Sequence, residues 1–357
     1  MARVGIVGFP NVGKSTLFNA LTGLDSPTAP HPLTTAEPVV GVARVPDERL
    51  DRAGEMEGSA KITHATLDLL DLPPLGAGGG GAAGKYLGRL REMDAIAVVL
   101  RAFTSDAVPA DDAGTDPVDQ AERLLLELTL ADAEVFERRR ERADKEASSD
   151  QAKRPAAAAI AAAAAHLSEG LPLRSRSWTE AEREGFRDMA PLTLKPAVWV
   201  VNTDEDGADP DALHAAVADV VPDGDAVVVV SARLEEEAAR LDPADRAELY
   251  DGLGLGSGAL ARMVRGTYDA LDLISFYTVG PKESRAWTVR RGASVKEAAG
   301  RIHSDLERGF IRAEVVTIED VLAAGGWDRT KATGVMRLEG KDYVVAEGDV
   351  IVVRFSV

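Results

Sequence analysis

Short apolar, β-rich runs recur along the chain at Arg3–Val7, Thr66–Leu70, Ala95–Leu100, Ala197–Val201 and Val227–Val230, separated by stretches of helical periodicity. This alternation predicts an α/β fold with a mostly parallel sheet and helices on both faces. In such sheets ligands sit beyond the carboxyl ends of the strands. Gly8, Asp71, Asn202 and Ser231 each follow one of these runs directly.

Between residues 121 and 190 the texture changes. Leu124, Leu128, Ala131 and Val135 repeat at i, i+4, i+7, i+11, and so do Ile160, Ala164, Leu167 and Leu171 beyond a polar break at Ser148–Arg154. Pro155 suits the first turn of the second helix. The pattern predicts two antiparallel helices with a narrow stripe, alanine on one side, favouring an inserted α-helical coiled-coil hairpin over an ordinary pair covering the sheet.

After Leu273 short strands follow one another at Ile274–Val279, Ala286–Val289, Ala313–Ile318, Tyr343–Val345 and Val350–Phe355, with one helix at Val295–Glu307. They read as a small α+β domain whose sheet grasps one helix and which carries no catalytic constellation. The divisions expected are 1–120 and 191–272 for the two parts of the sheet domain, 121–190 for the hairpin and 273–357 for the last domain.

Composition narrows the functional classes. The chain of 357 residues has 45% hydrophobic residues, enough for several domains. No run approaches the roughly 20 apolar residues of a spanning helix, and Ala156–Ala165 is too short and too weakly apolar, so no membrane partner is expected. A cleaved leader would remove the motif that begins at Gly8, and the absence of cysteine excludes disulfides, thiolate metal sites and cysteine catalysis; a cytoplasmic location is expected. His31, His64, His166, His214 and His303 are scattered without ligand-type spacing.

A formal charge of −18 opposes broad affinity for nucleic acid, and no specific DNA partner is expected. Arg138, Arg139, Arg140 and Arg142, then Lys153, Arg154, Arg174 and Arg176, form a local basic segment, but Glu137, Glu141 and Glu146 are interleaved. That interleaving favours a solvated helix face.

The chemistry concentrates near the start. Gly8-Phe9-Pro10-Asn11-Val12-Gly13-Lys14-Ser15 fits G-x-x-x-x-G-K-[ST], placed between an apolar run and a helical pattern with Leu17, Phe18, Leu21 and Leu24 on one face. In that setting backbone amides and the helix start face a polyphosphate, Lys14 reaches the terminal phosphates and the Ser15 hydroxyl ligates Mg2+. Asp71, ending its run, is placed as an acidic Mg2+ partner, with Asp68 inside the run as the competing choice. Thr34 and Thr35 fall where a switch threonine would bond Mg2+ and the γ-phosphate; spacing does not separate them from ordinary loop threonines. Asn202-Thr203-Asp204-Glu205 stands where guanine-binding folds carry N-K-x-D. Glutamate is one methylene longer than the aspartate that grips guanine, so guanine preference weakens and adenine becomes open.

The set G-F-P-N-V-G-K-S-T-L-F-N-A-L-T, P-L-T-T-A-E-P-V-V-G-V-A-R-V-P-D-E-R-L and N-T-D-E resembles the Obg-like ATPases of the YchF family. The stretches Arg285–Val289, Ile302–Val315 and Arg337–Tyr343 are similar to that family's C-terminal TGS domain, a β-grasp-like fold, and the likeness covers nearly the whole chain. The resemblance implies a P-loop G domain interrupted by a helical hairpin. It implies that Asn11, Val12, Gly13, Lys14, Ser15 and Thr16 hold the phosphates, with Gly8 opening the loop, and that Ser15 and Thr35 bind Mg2+. It places Asn202 and Glu205 around the base and favours ATP over GTP. Thr35 precedes Glu37-Pro38 by the family's spacing, Leu75 stands for the apolar residue that replaces a catalytic glutamine, and Asn11 resembles an asparagine that coordinates K+ in some relatives. The ribosome is the partner implied, with basic residues of the hairpin and last domain as a local route to ribosomal RNA.

The chain departs from the family where a D-x-A-G-type segment becomes Asp71-Leu72-Pro73-Pro74. Proline has no amide hydrogen to offer a γ-phosphate. The segment that follows, Gly76 to Gly84, is glycine-dense and shorter than the family's, which predicts a mobile switch with a high ordering entropy. Three readings follow: a slow ATPase that hydrolyses ATP to ADP and phosphate with Lys14 and Thr35 at the reacting phosphate, an ATP-sensing module without turnover, and a GTPase.

Overall fold

The structure, a computed structural model, describes residues 2–24, 39–74, 81–106, 108–109, 114–205, 207–253 and 258–356. Thr34, Thr35, Leu75 and Gly76 to Gly80 lie outside the described residues. The chain begins β1 (Arg3–Val7), α1 (Lys14–Thr22), β2 (Val39–Arg44), α2 (Glu48–Met56), β3 (Ile62–Thr63), β4 (Thr66–Asp71), α3 (Gly81–Arg91) and β5 (Ala95–Arg101). Then come α4 (Pro117–Ser149), α5 (Arg154–Ser168), α6 (Glu180–Phe186), β6 (Ala197–Asn202), α7 (Pro210–Ala218), β7 (Ala226–Val230), α8 (Ala232–Ala239), α9 (Pro243–Gly252) and α10 (Ala259–Ala270). The remainder is β8 (Leu273–Thr278), β9 (Ser284–Arg290), α11 (Val295–Ile302), α12 (Ser304–Arg308), β10 (Phe310–Thr317), α13 (Ile318–Ala324), α14 (Trp327–Thr333), β11 (Arg337–Glu339) and β12 (Asp349–Phe355).

Packing divides the chain into two units, Met1–Val42 with Asp68–Met263 and Ala43–Leu67 with Val264–Val357. This differs from the linear division drawn from sequence, because residues 43–67 group with the C-terminal segment. The reason is long-range pairing: β3 runs parallel to β9, and Ser59 donates to the Gly280 carbonyl at 2.8 Å.

The first unit is built on a six-stranded sheet of order β2-β4-β1-β5-β6-β7, parallel at β1–β4, β1–β5, β5–β6 and β6–β7. β5 and β6 are buried along their whole length, as strands covered on both faces must be, which explains their unbroken apolar runs. Asp116 caps α4 by accepting from the Val118 amide, and Pro117 fills the first helical position. Along the hairpin, Ile160, Ala163, Ala164 and Leu167 of α5 share one core with Phe136 and Ala143 of α4 and with Trp178 and Phe186. Alanine there lets the helices approach, and the aromatic rings close the remaining space edge-on, Phe136 to Phe186 at 5.6 Å and Trp178 to Phe186 at 5.5 Å. Leu171, expected on this stripe, is exposed instead, because α5 ends at Ser168 and Gly170 turns the chain.

Part of the glycine-dense stretch is helical. Gly81 to Gly84, expected within the mobile switch, form the first turn of α3. The helix is held from its far end, where Tyr86 and Leu90 are buried, so tertiary packing outweighs the helix cost of glycine.

The second unit carries a mixed sheet of order β11-β10-β12-β8-β9-β3. α11 packs on it through Val295 and Ala298 against Phe276, Val289, Ala313, Val315 and Ile351, giving the grasp-like arrangement. Two expectations are corrected here. Tyr343–Val345 is no strand but a single bridge, Val344 to Ser294, because its backbone pairs with Ala293 and Val295 at the start of α11. The helix expected to run through Glu307 breaks at His303, whose extended backbone and Nδ1 begin α12 by accepting from the Asp305 amide.

Candidate functional site

β1 ends in the centre of its sheet and delivers the chain to a loop that turns into α1. Gly8 (φ 154°) passes so close to the Val99 carbonyl that a Cβ would collide with it. Gly13 (φ 94°) precedes α1 in a left-handed conformation, and a Cβ there would collide with the Asn202 amide. Asn11 also has a positive φ, 60°, which asparagine tolerates better than most residues. α1 carries no side-chain cap, which leaves its first-turn amides available to an anion.

Lys14 is buried, and its Nζ donates to the carbonyls of Phe9 at 2.9 Å and Gly8 at 3.3 Å, curling the ammonium into the loop. Ser15 Oγ donates to Asp71 Oδ2 at 2.7 Å. Asp71 is 1% exposed, and its Oδ1 has no hydrogen-bond partner among the described residues. Burial pushes the Asp71 carboxyl above the usual range, against the Ser15 hydrogen bond and the Lys14 charge. A buried carboxylate oxygen without a donor, beside a hydroxyl and a phosphate-type loop, fits a hard divalent cation. Asp68 sits opposite Arg3 at the start of the strand pair, away from the loop.

Asn202 braces this loop from the next-but-one strand. Its Nδ2 donates to the Val12 carbonyl at 2.9 Å and its Oδ1 accepts from the Ala232 amide at 3.0 Å. Both side-chain atoms thus tie the loop to the start of α8. Ser231 caps α8, its Oγ accepting from the Leu234 amide at 3.3 Å. Thr203 is buried, its Oγ1 without a hydrogen-bond partner among the described residues, Glu205 is exposed, and Asp204 accepts from the Thr104 amide at 3.0 Å. Val12 is buried, while Asn11 and Thr16 are half-buried around the loop. The structure therefore brings together Gly8 to Thr16, Asp71, Asn202 and Ser231, with Glu205 at the surface beyond Asn202.

Arg101 was not singled out in the sequence. It ends β5 and donates to the carbonyls of Asn11 (3.2 Å), Val108 (2.7 Å), Pro109 (3.2 Å) and Phe103 (3.1 Å), while its backbone exchanges hydrogen bonds with the Gln120 amide group. The one available signal was a lone cation closing an otherwise apolar run. Asn11 Nδ2 joins the same arrangement by donating to Pro109 O at 3.2 Å.

The arginines of the hairpin are largely compensated, as their spacing among glutamates implied. Arg138 pairs with Glu134 at 3.4 Å, Arg139 with Glu146 at 3.3 Å and Arg140 with Glu137 at 2.5 Å. In the C-terminal unit Arg308 pairs with Asp305, and Arg285 lies over the Trp287 ring at 4.2 Å. Among the described residues there is no group of three or more His, Asp or Glu suited to hold a metal, and no helix long and apolar enough to cross a membrane.

With this geometry in place, likeness to known proteins becomes interpretable. Residues 3–133 match the family described as 50S ribosome-binding GTPase, and residues 273–356 match the YchF-GTPase C-terminal family, described as a protein of unknown function. The chain is 39% identical to the ribosome-binding ATPase YchF of Bacillus subtilis, over 99% of both chains. It is 34% identical to Obg-like ATPase 1 of Oryza sativa, over 99% of this chain and 92% of that one. The solved structure of the Schizosaccharomyces pombe YchF GTPase superimposes with a TM-score of 0.86 at 30% identity, over 99% of this chain and 97% of that one. A P-loop G domain with a helical insertion and a YchF-type C-terminal domain places the chain in one group: it belongs to the YchF family.

Proposed function

We propose that the chain is a slow, ribosome-associated switch ATPase that binds Mg2+ and ATP and releases ADP and phosphate. The observation that carries this reading is the pairing of Ser15 with a buried Asp71 whose second oxygen has no donor, directly beside the uncapped start of α1. Ser15, Asp71 and, by family resemblance, Thr35 would hold Mg2+, which when bound supplies positive charge at the β- and γ-phosphates. The amides that open α1 cradle the phosphate oxygens. Lys14 exchanges the Phe9 and Gly8 carbonyls for them, moving its charge by a rotation of its own side chain. Asn202 keeps the Val12 carbonyl fixed, so the loop is already shaped when the nucleotide arrives.

For the base, Glu205 in place of aspartate weakens the grip on guanine, and the Bacillus subtilis and Oryza sativa relatives carry the name ATPase. The ribosome enters because the former is called ribosome-binding. A K+ ion at Asn11 belongs to the same reading, as does a cytoplasmic setting. Labelled ATP should bind in a Mg2+-dependent manner, resist excess GTP, and release phosphate at a rate higher in K+ than in Na+ and abolished by Lys14→Ala. Displacement by GTP as readily as by ATP overturns the adenine preference. Co-sedimentation with ribosomal subunits that does not differ between ATP and ADP overturns the switch.

A specific observation favours a second reading. Pro74 carries no amide hydrogen at the segment after Asp71, and in this second reading the chain senses ATP without turning it over. Single-turnover assays separate the two: tight binding with no phosphate released supports the sensor.

A further inference from the structure

Arg101 ends β5 and is 2% exposed, so its charge is held inside the first unit. Its guanidinium donates to the main-chain carbonyls of Asn11, Phe103, Val108 and Pro109 and lies over the Phe103 ring at 4.2 Å. Gln120 on α4 grips the same residue by its backbone, accepting from the Arg101 amide at 2.8 Å and donating to the Arg101 carbonyl at 2.9 Å. Of the carbonyls that Arg101 holds, that of Asn11 belongs to the loop running from Gly8 to Ser15. Asn11 has a φ of 60°, a conformation that a side chain normally disfavours. Its Nδ2 donates to Pro109 O at 3.2 Å, so the side chain and the main chain of Asn11 are tied to one neighbourhood.

In a planar trans peptide the carbonyl and the amide hydrogen point in opposite directions. Drawing the Asn11 carbonyl to Arg101 therefore turns the Val12 amide away from Arg101. Asn202 acts in the same way one unit on, since it binds the Val12 carbonyl at 2.9 Å and so turns the Gly13 amide away from itself. Two consecutive amides are set by donors acting on the carbonyls behind them. A left-handed residue in such a run produces the concave row of amides that accepts an anion. We infer that Arg101 is a positioning residue for the phosphate loop: by holding the Asn11 carbonyl it stabilises the left-handed turn there and aims the Val12 amide at nucleotide phosphate. This rests on the nucleotide-site reading above. Arginine suits the task because its planar fork reaches carbonyls in several directions and stays charged when buried, whereas the lysine ammonium is a compact point donor.

The test uses full-length protein and Arg101→Lys, with binding of ATP, ADP and adenosine measured in Mg2+ by competition calorimetry. The variant should bind ATP and ADP about tenfold more weakly, the scale of one misdirected bond to a charged group. Adenosine offers the base and no phosphate, and should bind within twofold of its wild-type affinity. ATP affinity within twofold of wild type overturns the inference; so does a loss of adenosine binding equal to that of ATP, which would make Arg101 a general support of the fold. A second measurement needs no variant. The guanidinium hydrogens of Arg101, followed by NMR, should exchange slowly with solvent in nucleotide-free protein and at a rate within threefold of that when ADP is bound. Protection that arises only with ADP means that the nucleotide builds the hold, and overturns the inference. Wild type that binds ATP no more tightly than adenosine removes the phosphate-site reading itself, an outcome distinct from phosphate-dependent wild-type binding that Arg101→Lys leaves intact.

Discussion

The Ser15 hydroxyl donates to Asp71 Oδ2 across 2.7 Å, joining the first turn of α1 to the last residue of β4. The bond pre-assembles two cation ligands from chain positions 56 residues apart. Asparagine at position 71 can still accept from Ser15 but carries no charge. Asp71→Asn should therefore leave the unfolding free energy within about 1 kcal/mol, since a buried charge is removed without a cavity. Mg2+-dependent ATP binding should weaken by at least tenfold in equilibrium titration; a variant that binds as wild type does would exclude Asp71 as a ligand.

Gly13 faces the Asn202 amide with no room between them. Gly13→Ala forces either the positive φ of 94° or the Asn202 brace to yield, and both shape the loop. A stability loss of about 1–3 kcal/mol is expected by denaturant unfolding, with ATP binding lost even where the variant remains folded.

Pro74 has no amide hydrogen to donate where the family resemblance implies a γ-phosphate contact. Pro74→Gly should raise single-turnover hydrolysis by about one to two orders of magnitude, the equivalent of roughly 1.5–3 kcal/mol for a bond to a charged group. Unchanged turnover would mean that this position does not limit the rate.

In the C-terminal unit Asp47 caps α2 and is bonded by Arg49 at 3.2 Å and by the Tyr277 hydroxyl. Burial raises the Asp47 carboxyl, but those hydrogen bonds and the Arg49 and Arg265 charges outweigh it and hold its pKa below the ordinary 3.8. A depressed carboxylate stabilises the fold above its unfolded pKa and loses that contribution as pH falls through the folded value. Asp47→Asn should cost about 2 kcal/mol near pH 7, and the gap from wild type should shrink below about pH 4. Urea unfolding across that range checks it, and a gap constant with pH would assign the effect to capping alone.

The local parts of the site were legible because chemistry and chain order coincide there. Gly8 to Thr16, Asp71, Asn202 and Ser231 lie at strand ends that an apolar run announces. Arg101 was not legible, since its role depends on carbonyls brought near by packing. The same holds for residues 43–67. Arg49 contacts Tyr277 at a separation of 228 residues, and no periodicity in either segment points to the other. Tyr343–Val345 looked like a strand because its residues suit one, yet its partners are at a helix start. The hairpin arginines could be read correctly because their glutamates sit within one or two turns.

The parallel pairing of Ile62 and Thr63 with Ser284 and Arg285 bears on how this protein can be cut. A fragment containing only the final segment would leave β9 with a bare row of amides and carbonyls, an open template for a second fragment to pair with. Reagents intended to probe the last domain in isolation should therefore carry residues 43–67 in trans or through a linker; without them, self-association would mask any genuine binding partner.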